Sequence, residues 1–209
     1  MNILVVAAHP DDEVLGCGGT MLRHGAEGGR VVVAFMAQGM MSRIRTEGED
    51  SGGERLEGLR EDARKAAALL GVQDQVFFDF PDNRMDGVDL LDVVRAVESC
   101  IERFDPRLVY THHEGDLNVD HAVVARAVVT ATRPQPARRV EEVYAFEVLS
   151  STEWAFGTGR EFRPNCFVNI EEQLDRKIEA MTRYETETRR FPYPRSPDAI
   201  RHRSEERRV

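Results

Sequence analysis

Residues 3–19 read ILVVAAHPDDEVLGCGG, an unbroken apolar run that passes into a dense polar cluster and then into glycines. A Val-rich stretch without polar interruption predicts a strand, Ile3–Ala8, covered on both faces as in parallel sheets. Asp11 or Asp12 then caps a helix running to about Ala26, and Gly28-Gly29 ends it. Val31–Phe35, Val76–Phe80 and Leu108–Tyr110 read as further buried strands. Leu56–Leu70, Leu90–Phe104 and Ala122–Thr132 carry helical spacing, with Gly71, Asp105-Pro106 and Pro134 as stops. Val143–Leu149 and Cys166–Ile170 read as later strands, and Glu171–Tyr184 as a long amphipathic helix. This alternation predicts an α/β protein: a three-layer α/β/α sandwich with a Rossmann-like, mainly parallel sheet. Neither a repeat nor a linker divides it, so residues 1–209 are read as a single domain. The polar, Gly-rich stretch Gln38–Arg55 reads as a substrate-facing or mobile loop.

Composition narrows the function classes. The chain has 209 residues, of which 41% are hydrophobic and 31% charged, as in ordinary soluble proteins. A net charge of −9 argues against nucleic acid or an anionic membrane as the main partner. Arginines are frequent from Arg183 onward, but Glu185, Glu187, Glu205 and Glu206 interrupt them, which suggests a solvated helical face. The N-terminal apolar run is too short for a signal peptide or membrane span. Three widely spaced cysteines favour a reducing compartment, and a cytoplasmic location is expected.

The chemistry lies at two strand ends. Behind the first strand stand His9, Asp11 and Asp12; behind Leu108–Tyr110, residues 111–121 read THHEGDLNVDH. Open α/β sheets bind ligands at the carboxyl ends of their strands. His9 and Asp12, three residues apart, can reach one ion, and His121 can supply a third ligand. Two imidazoles and a carboxylate make a catalytic type of zinc site, with a coordination position left open. Asp11, beside Asp12 but directed elsewhere, suits a general base. Asp120 is placed to hydrogen-bond a histidine and fix its tautomer. Cys17 is either a fourth ligand or a small side chain packed in the helix. Gly18-Gly19 would suit a phosphate turn, but the spacing is not GxGxxG and carboxylates fill the turn.

These residues carry a resemblance. AHPDDEVLGCGG at 8–19 and GDLNVDH at 115–121 resemble the LmbE/PIG-L family of zinc-dependent N-acetylglucosaminyl deacetylases. The similarity extends through LREDARKAAALLG (59–71), PDNRMD (81–86) and STEW (151–154). It implies hydrolysis of an N-acetyl amide on a GlcNAc-type sugar or glycoconjugate, releasing acetate and a free amine. It matches His9, Asp12 and His121 to the metal ligands and Asp11 to the base. Zinc is the implied metal, with iron, manganese or cobalt as alternatives.

Where many members carry a histidine that stabilises the oxyanion, this chain has Asn118, which donates a hydrogen bond but no proton. The proton for the leaving amine then comes from Asp11 or His113. His112 and His113 can equally be strand-end residues packed beneath the site. Asp82 matches an aspartate that holds sugar hydroxyls. Arg84 suits a phosphate or carboxylate on the aglycone, or an exposed ion pair. Arg60 lies one position out of register with a family arginine. Trp154 either stacks on a sugar ring or fills the core. Two rival functions stay open: an amidase removing a larger acyl or thiol conjugate, and a non-catalytic sugar- or metal-binding relative. The partner is a small molecule, and self-association into a homo-oligomer is open.

Overall fold

The computed structural model describes residues 1–37, 52–135, 139–157 and 159–206. The first strand, β1 (Asn2–Ala7), is followed by helix α1 (Asp12–Ala26) and strand β2 (Arg30–Ala37). Then come α2 (Gly52–Leu70), β3 (Asp74–Phe80), α3 (Leu90–Phe104) and β4 (Leu108–His112). The remaining elements are α4 (Val119–Ala131), β5 (Glu142–Phe146), α5 (Leu174–Met181) and α6 (Pro197–Glu206). The strands form one sheet in the order β3-β2-β1-β4-β5, with every pairing parallel.

Side chains alternate along each strand, and the two sheet faces accordingly have separate cores. Ile3, Val5 and Ala7 face one layer with Val31, Val33 and Phe35, against Val14 and Met21 of α1, Leu59 and Ala63 of α2 and Ile178 of α5. Leu4, Val6, Val32 and Ala34 face the other layer, against Val93, Val97 and Ile101 of α3 and Val124 and Val128 of α4. The α/β/α layering is as the sequence suggests. Residues 3–8 are at most 1% exposed. Each fully buried Val, Leu or Ile contributes roughly 1.5–3 kcal/mol, so β1 is a rigid post for the loop at its end.

Strand order creates the site. From β1 the chain steps outward to β2 and β3, then returns to lay β4 on the other side of β1. The carboxyl ends of β1 and β4 therefore flank a topological switch point, where the connecting segments diverge and leave a crevice.

Several sequence expectations need correction. Cys166–Ile170 is not a strand; Cys166 and Phe167 are exposed, and Ile170 packs on α1, where a Cβ on Gly19 would lie 2.7 Å from Ile170 Cδ1. Glu171–Tyr184 is a 3₁₀ turn (Glu171–Gln173) and the short α5, after which the chain turns and buries Tyr184. The strand expected over Val143–Leu149 stops at Phe146, because the Val148 N–H donates to Thr152 Oγ1 at 2.7 Å. Helix α4 begins at Val119 rather than Ala122, so His121 lies in its first turn. Of Gln38–Arg55, residues 38–51 lie outside the described residues, and Gly52–Arg55 is helical.

Candidate metal centre and active site

β1 delivers His9 and Asp12 through a tight turn in which the Asp12 N–H donates to the His9 carbonyl at 3.3 Å. In return the His9 N–H donates to Asp12 Oδ2 at 2.9 Å, which locks the pair. His9 Nδ1 lies 3.3 Å from that same oxygen, and His121 Nε2 reaches it at 3.2 Å from α4. The three residues expected as metal ligands thus converge, with donor atoms within 4.8 Å of one another.

Each histidine has a carboxylate behind it. His9 Nε2 lies 2.9 Å from Asp120 Oδ2 and 3.1 Å from Asp82 Oδ1. His121 Nδ1 lies 3.1 Å from Asp116 Oδ1. Such carboxylates take the proton-bearing nitrogen and leave the other lone pair for a cation. Asp116 is itself held by the hydroxyls of Ser151 and Thr152, the latter at 2.5 Å. Sequence reasoning misses this role for Asp116, although the residue stands inside the second motif. Asp120 also accepts from the backbone N–H groups of Asn83 (2.6 Å) and Met85 (3.0 Å), which fastens the turn after β3 to α4.

His9, Asp82 and Asp120 form a second group with metal-binding spacing. The first group fits a cation better, because the oxygens of Asp120 are already engaged. Asp12 Oδ1, by contrast, is buried and has no hydrogen-bond partner among the described residues. A buried carboxylate oxygen without a donor is costly, and a cation would satisfy it.

Electrostatics agree. Burial opposes charge on His121, but Asp12 and Asp116 outweigh it and raise this imidazole to about 9. Burial likewise opposes ionisation of Asp12, yet His121 and His9 hold its carboxyl well below the ordinary range. The pocket favours positive charge. His112 differs: burial and the neighbouring His121 push it well below 6.5, so it is neutral. Its Nε2 accepts the Ala8 N–H at 2.8 Å and its ring stacks on His121 at 3.9 Å. It is packing beneath the site.

Asp11 is 2% exposed and adopts φ 106°, ψ −28°. Burial pushes its carboxyl up, with Asp12 and Glu187 adding to the effect and Arg195 opposing it. Arg195 Nη1 lies 2.5 Å from Asp11 Oδ2 and 3.0 Å from Glu187 Oε2. The solvated face expected from Arg183 onward does not extend to Glu187 and Arg195; both are largely buried, and Arg195 is a site residue the sequence did not disclose.

The PIG-L family, described as "GlcNAc-PI de-N-acetylase", matches residues 4–132. The chain belongs to the PIG-L family. A relative from Bacillus cereus, "Probable N-acetyl-alpha-D-glucosaminyl L-malate deacetylase 2", is 26% identical over 189 residues, covering 90% of this chain and 84% of that protein. The crystal structure of the conserved protein TT1542 from Thermus thermophilus superposes with a TM-score of 0.73 at 26% identity, over 99% of this chain and 86% of that one. GalB, the 4-carboxy-2-hydroxymuconate hydratase from Pseudomonas putida, gives 0.72 at 25% identity, over 96% and 83%.

Within this PIG-L chain the other expected residues divide. Asn118 is the N-cap of α4: its Oδ1 accepts the Asp120 N–H at 2.9 Å, and its Nδ2 donates to Asn83 Oδ1 at 3.2 Å. Asp82 is buried beside His9, with Asn83 Nδ2 donating to its Oδ1 at 3.1 Å. His113 Nε2 is 2.6 Å from the Arg160 carbonyl and its ring meets the edge of Phe162. Arg84 is exposed in the turn after β3.

Arg60, Trp154 and Cys17 make other contacts. Arg60 is committed on α2 to Asp79 at 2.6 Å and to the face of Phe77, on the β3 side of the sheet. Trp154, 56% exposed beside Phe156, does not fill the core. Cys17 belongs to the core on the α1 face rather than to the metal group, and burial pushes its thiol far up. The glycines of this helix permit close packing: a Cβ on Gly16 would meet the Phe146 ring at 2.2 Å.

Proposed function

We propose that this chain hydrolyses the N-acetyl amide of a GlcNAc-type sugar or glycoconjugate, with a divalent metal held by His9, Asp12 and His121. The observation that carries this reading is the buried Asp12 carboxylate: its Oδ2 lies within 3.3 Å of both histidines, whose far nitrogens face carboxylates, and its Oδ1 has no hydrogen-bond partner among the described residues. The family match and the deacetylase relative support the reaction class. Zinc suits the two-imidazole, one-carboxylate donor set, and when bound supplies Lewis acidity toward a carbonyl and a water.

The protein side follows from position. Asp11 accepts the proton of the attacking water as the new C–O bond forms. It then delivers that proton to the amide nitrogen as the C–N bond breaks, giving acetate and an amine. His113 is a poorer donor, because its Nε2 is tied to the Arg160 carbonyl. Asn118 spends one Nδ2 hydrogen on Asn83 and keeps the other for a developing oxyanion. Asp82 and the exposed Arg84, at the turn after β3, are proposed to contact the sugar and its aglycone.

The test is a screen of N-acetylglucosaminyl conjugates against protein reconstituted with zinc, manganese, iron or cobalt, reading both free amine and acetate. Stoichiometric release of the two products from at least one conjugate supports the reading. Release of longer acyl groups only would transfer the activity to a broader amidase. Hydration of an unsaturated tricarboxylate without amide cleavage would instead place the chain with the GalB-like hydratase.

A further inference from the structure

The start of α1 is braced from behind by a segment some 180 residues away in sequence, and that brace converges on Asp11. Asp11 has a left-handed backbone, a conformation that a residue with a Cβ rarely adopts unless its surroundings impose it. The imposing contacts are visible. The Asp11 N–H donates to Glu13 Oε2 at 2.9 Å, and the Tyr184 hydroxyl donates to Glu13 Oε1 at 2.7 Å. The Asp11 carbonyl accepts from the Val14 and Leu15 N–H groups. These contacts fix the backbone. The side chain is fixed separately, by Arg195.

The Arg195 contact is one-sided. Its Nη1 meets Asp11 Oδ2 at 2.5 Å, and the same nitrogen meets Glu187 Oε2 at 3.0 Å. Arg195 Nε donates to Ser150 Oγ at 3.2 Å, which orients the guanidinium plane. A purely structural pair would gain most from two parallel bonds across both carboxylate oxygens. Here Asp11 Oδ1 has no hydrogen bond among the described residues. One oxygen is anchored and the other is left for chemistry.

We infer that Arg195 is a positioning residue for the reaction: it pins Asp11 Oδ2 so that Oδ1 is held as the oxygen that receives the proton of the attacking water. This rests on the hydrolytic reading above. The arginine does not touch substrate; it acts through Asp11, oriented by Glu187 and Ser150. A carboxylate left free to rotate would present its acceptor oxygen only part of the time, and misplacement by about 1 Å can cost roughly 100-fold in turnover.

The experiment compares the metal-loaded parent with Arg195→Ala, Arg195→Lys and Asp11→Asn, measuring kcat, KM and bound metal for each. For Arg195→Ala the expected result is a kcat lowered roughly 10- to 100-fold, with KM changed by less than about threefold and metal content unchanged. Arg195→Lys, which keeps the charge but loses the fork, should fall between that variant and the parent. Added guanidinium should restore part of the turnover of Arg195→Ala and none of that of Asp11→Asn.

A folded Arg195→Ala with parental kcat overturns the inference, and so does a loss confined to KM or to bound metal. If the alanine variant does not fold, Arg195→Lys decides alone: parental kcat there overturns the role. Should the parent cleave no conjugate, the hydrolytic reading fails first. The geometry is then judged by a crystal structure of Arg195→Lys, where an Asp11 carboxylate unmoved from its parental rotamer removes Arg195 from any positioning role.

Discussion

Asp120 Oδ2 lies 2.9 Å from His9 Nε2, and this contact joins the loop after β1 to the first turn of α4. Asp120 is fully buried and also holds the Asn83 and Met85 N–H groups, so the carboxylate cannot swing away. It therefore assigns the ring proton of His9 to Nε2 and leaves Nδ1 to face Asp12. Replacing Asp120 with Asn should lower metal affinity roughly 10- to 100-fold, the range typical of such partners. Competition against a chelating dye measures this. Parental affinity in the variant would leave Asp120 as a loop anchor only.

Metal removal should register in stability as well as activity. A ligand that binds only the folded state stabilises it by about 2.7 kcal/mol at 100 times its Kd. Chelator treatment should therefore lower the melting temperature of the parent, and added zinc should restore it. His121→Ala removes a proposed ligand from the group around Asp12 Oδ2. Its melting temperature is expected to ignore both zinc and chelator. A variant that still responds like the parent would place the ion elsewhere.

Asp11 and Asp12 are neighbours that face different partners, and the proposed mechanism gives them separable duties. Asp12 faces both histidines, whereas Asp11 faces Arg195. Asp11→Asn should accordingly bind metal like the parent while losing at least about 100-fold in turnover, the scale of a general base. Asp12→Asn should lose metal. Equal metal loss in both variants would contradict this division.

Much of this is legible in the sequence because it depends on local pattern. The unbroken run Ile3–Ala8 and the alternation of strands and helices point to the layered fold, since burial on both faces leaves no polar residue in such strands. His9 and Asp12 are visible because they stand just beyond a buried strand, and His121 because it closes the polar cluster that follows another. Arg195 is not. Its partner Asp11 lies at the other end of the chain, and an arginine among interleaved Glu and Arg residues looks like any solvated one. Asp116 is hidden for a different reason: its task depends on Ser151 and Thr152, which approach only because β5 ends early. Cys166–Ile170 imitates a strand because Ile170, which packs on α1, ends a short run rich in apolar residues. Side-chain pattern reports burial, and burial alone does not distinguish a sheet partner from a helix partner.

Two glycines on different helices should respond oppositely to alanine. A Cβ on Gly16 would sit 2.2 Å from Phe146 Cδ2, next to the strand that borders the site, whereas one on Gly58 meets nothing within 4 Å. Overpacking of this kind costs typically about 1–3 kcal/mol, so Gly16→Ala should be destabilised on that scale. Gly58→Ala, in the exposed part of α2, should gain up to about 1 kcal/mol, because alanine loses less backbone freedom in a helix. Urea titration of both variants distinguishes the outcomes. A neutral Gly16→Ala would show that the Phe146 ring yields, and that the α1–β5 contact is looser than described.

Cysteine reactivity offers a check on the core that is independent of any substrate. All three thiols are free, and Cys166 is exposed while Cys17 and Cys100 are buried. Burial pushes Cys100 up to about 11 and Cys17 further still. At pH 8 a thiol of pKa near 11 is thiolate in only about one molecule in a thousand, and the thiolate is the nucleophile. Iodoacetamide should therefore modify one cysteine rapidly in the native protein, Cys166, and all three after unfolding in guanidinium. Mass spectrometry of native protein over time gives the order directly. Rapid native labelling of Cys17 would mean that α1 opens at Cys17, whose φ −137° and ψ 19° kink the helix, and this would also loosen the turn that carries His9 and Asp12.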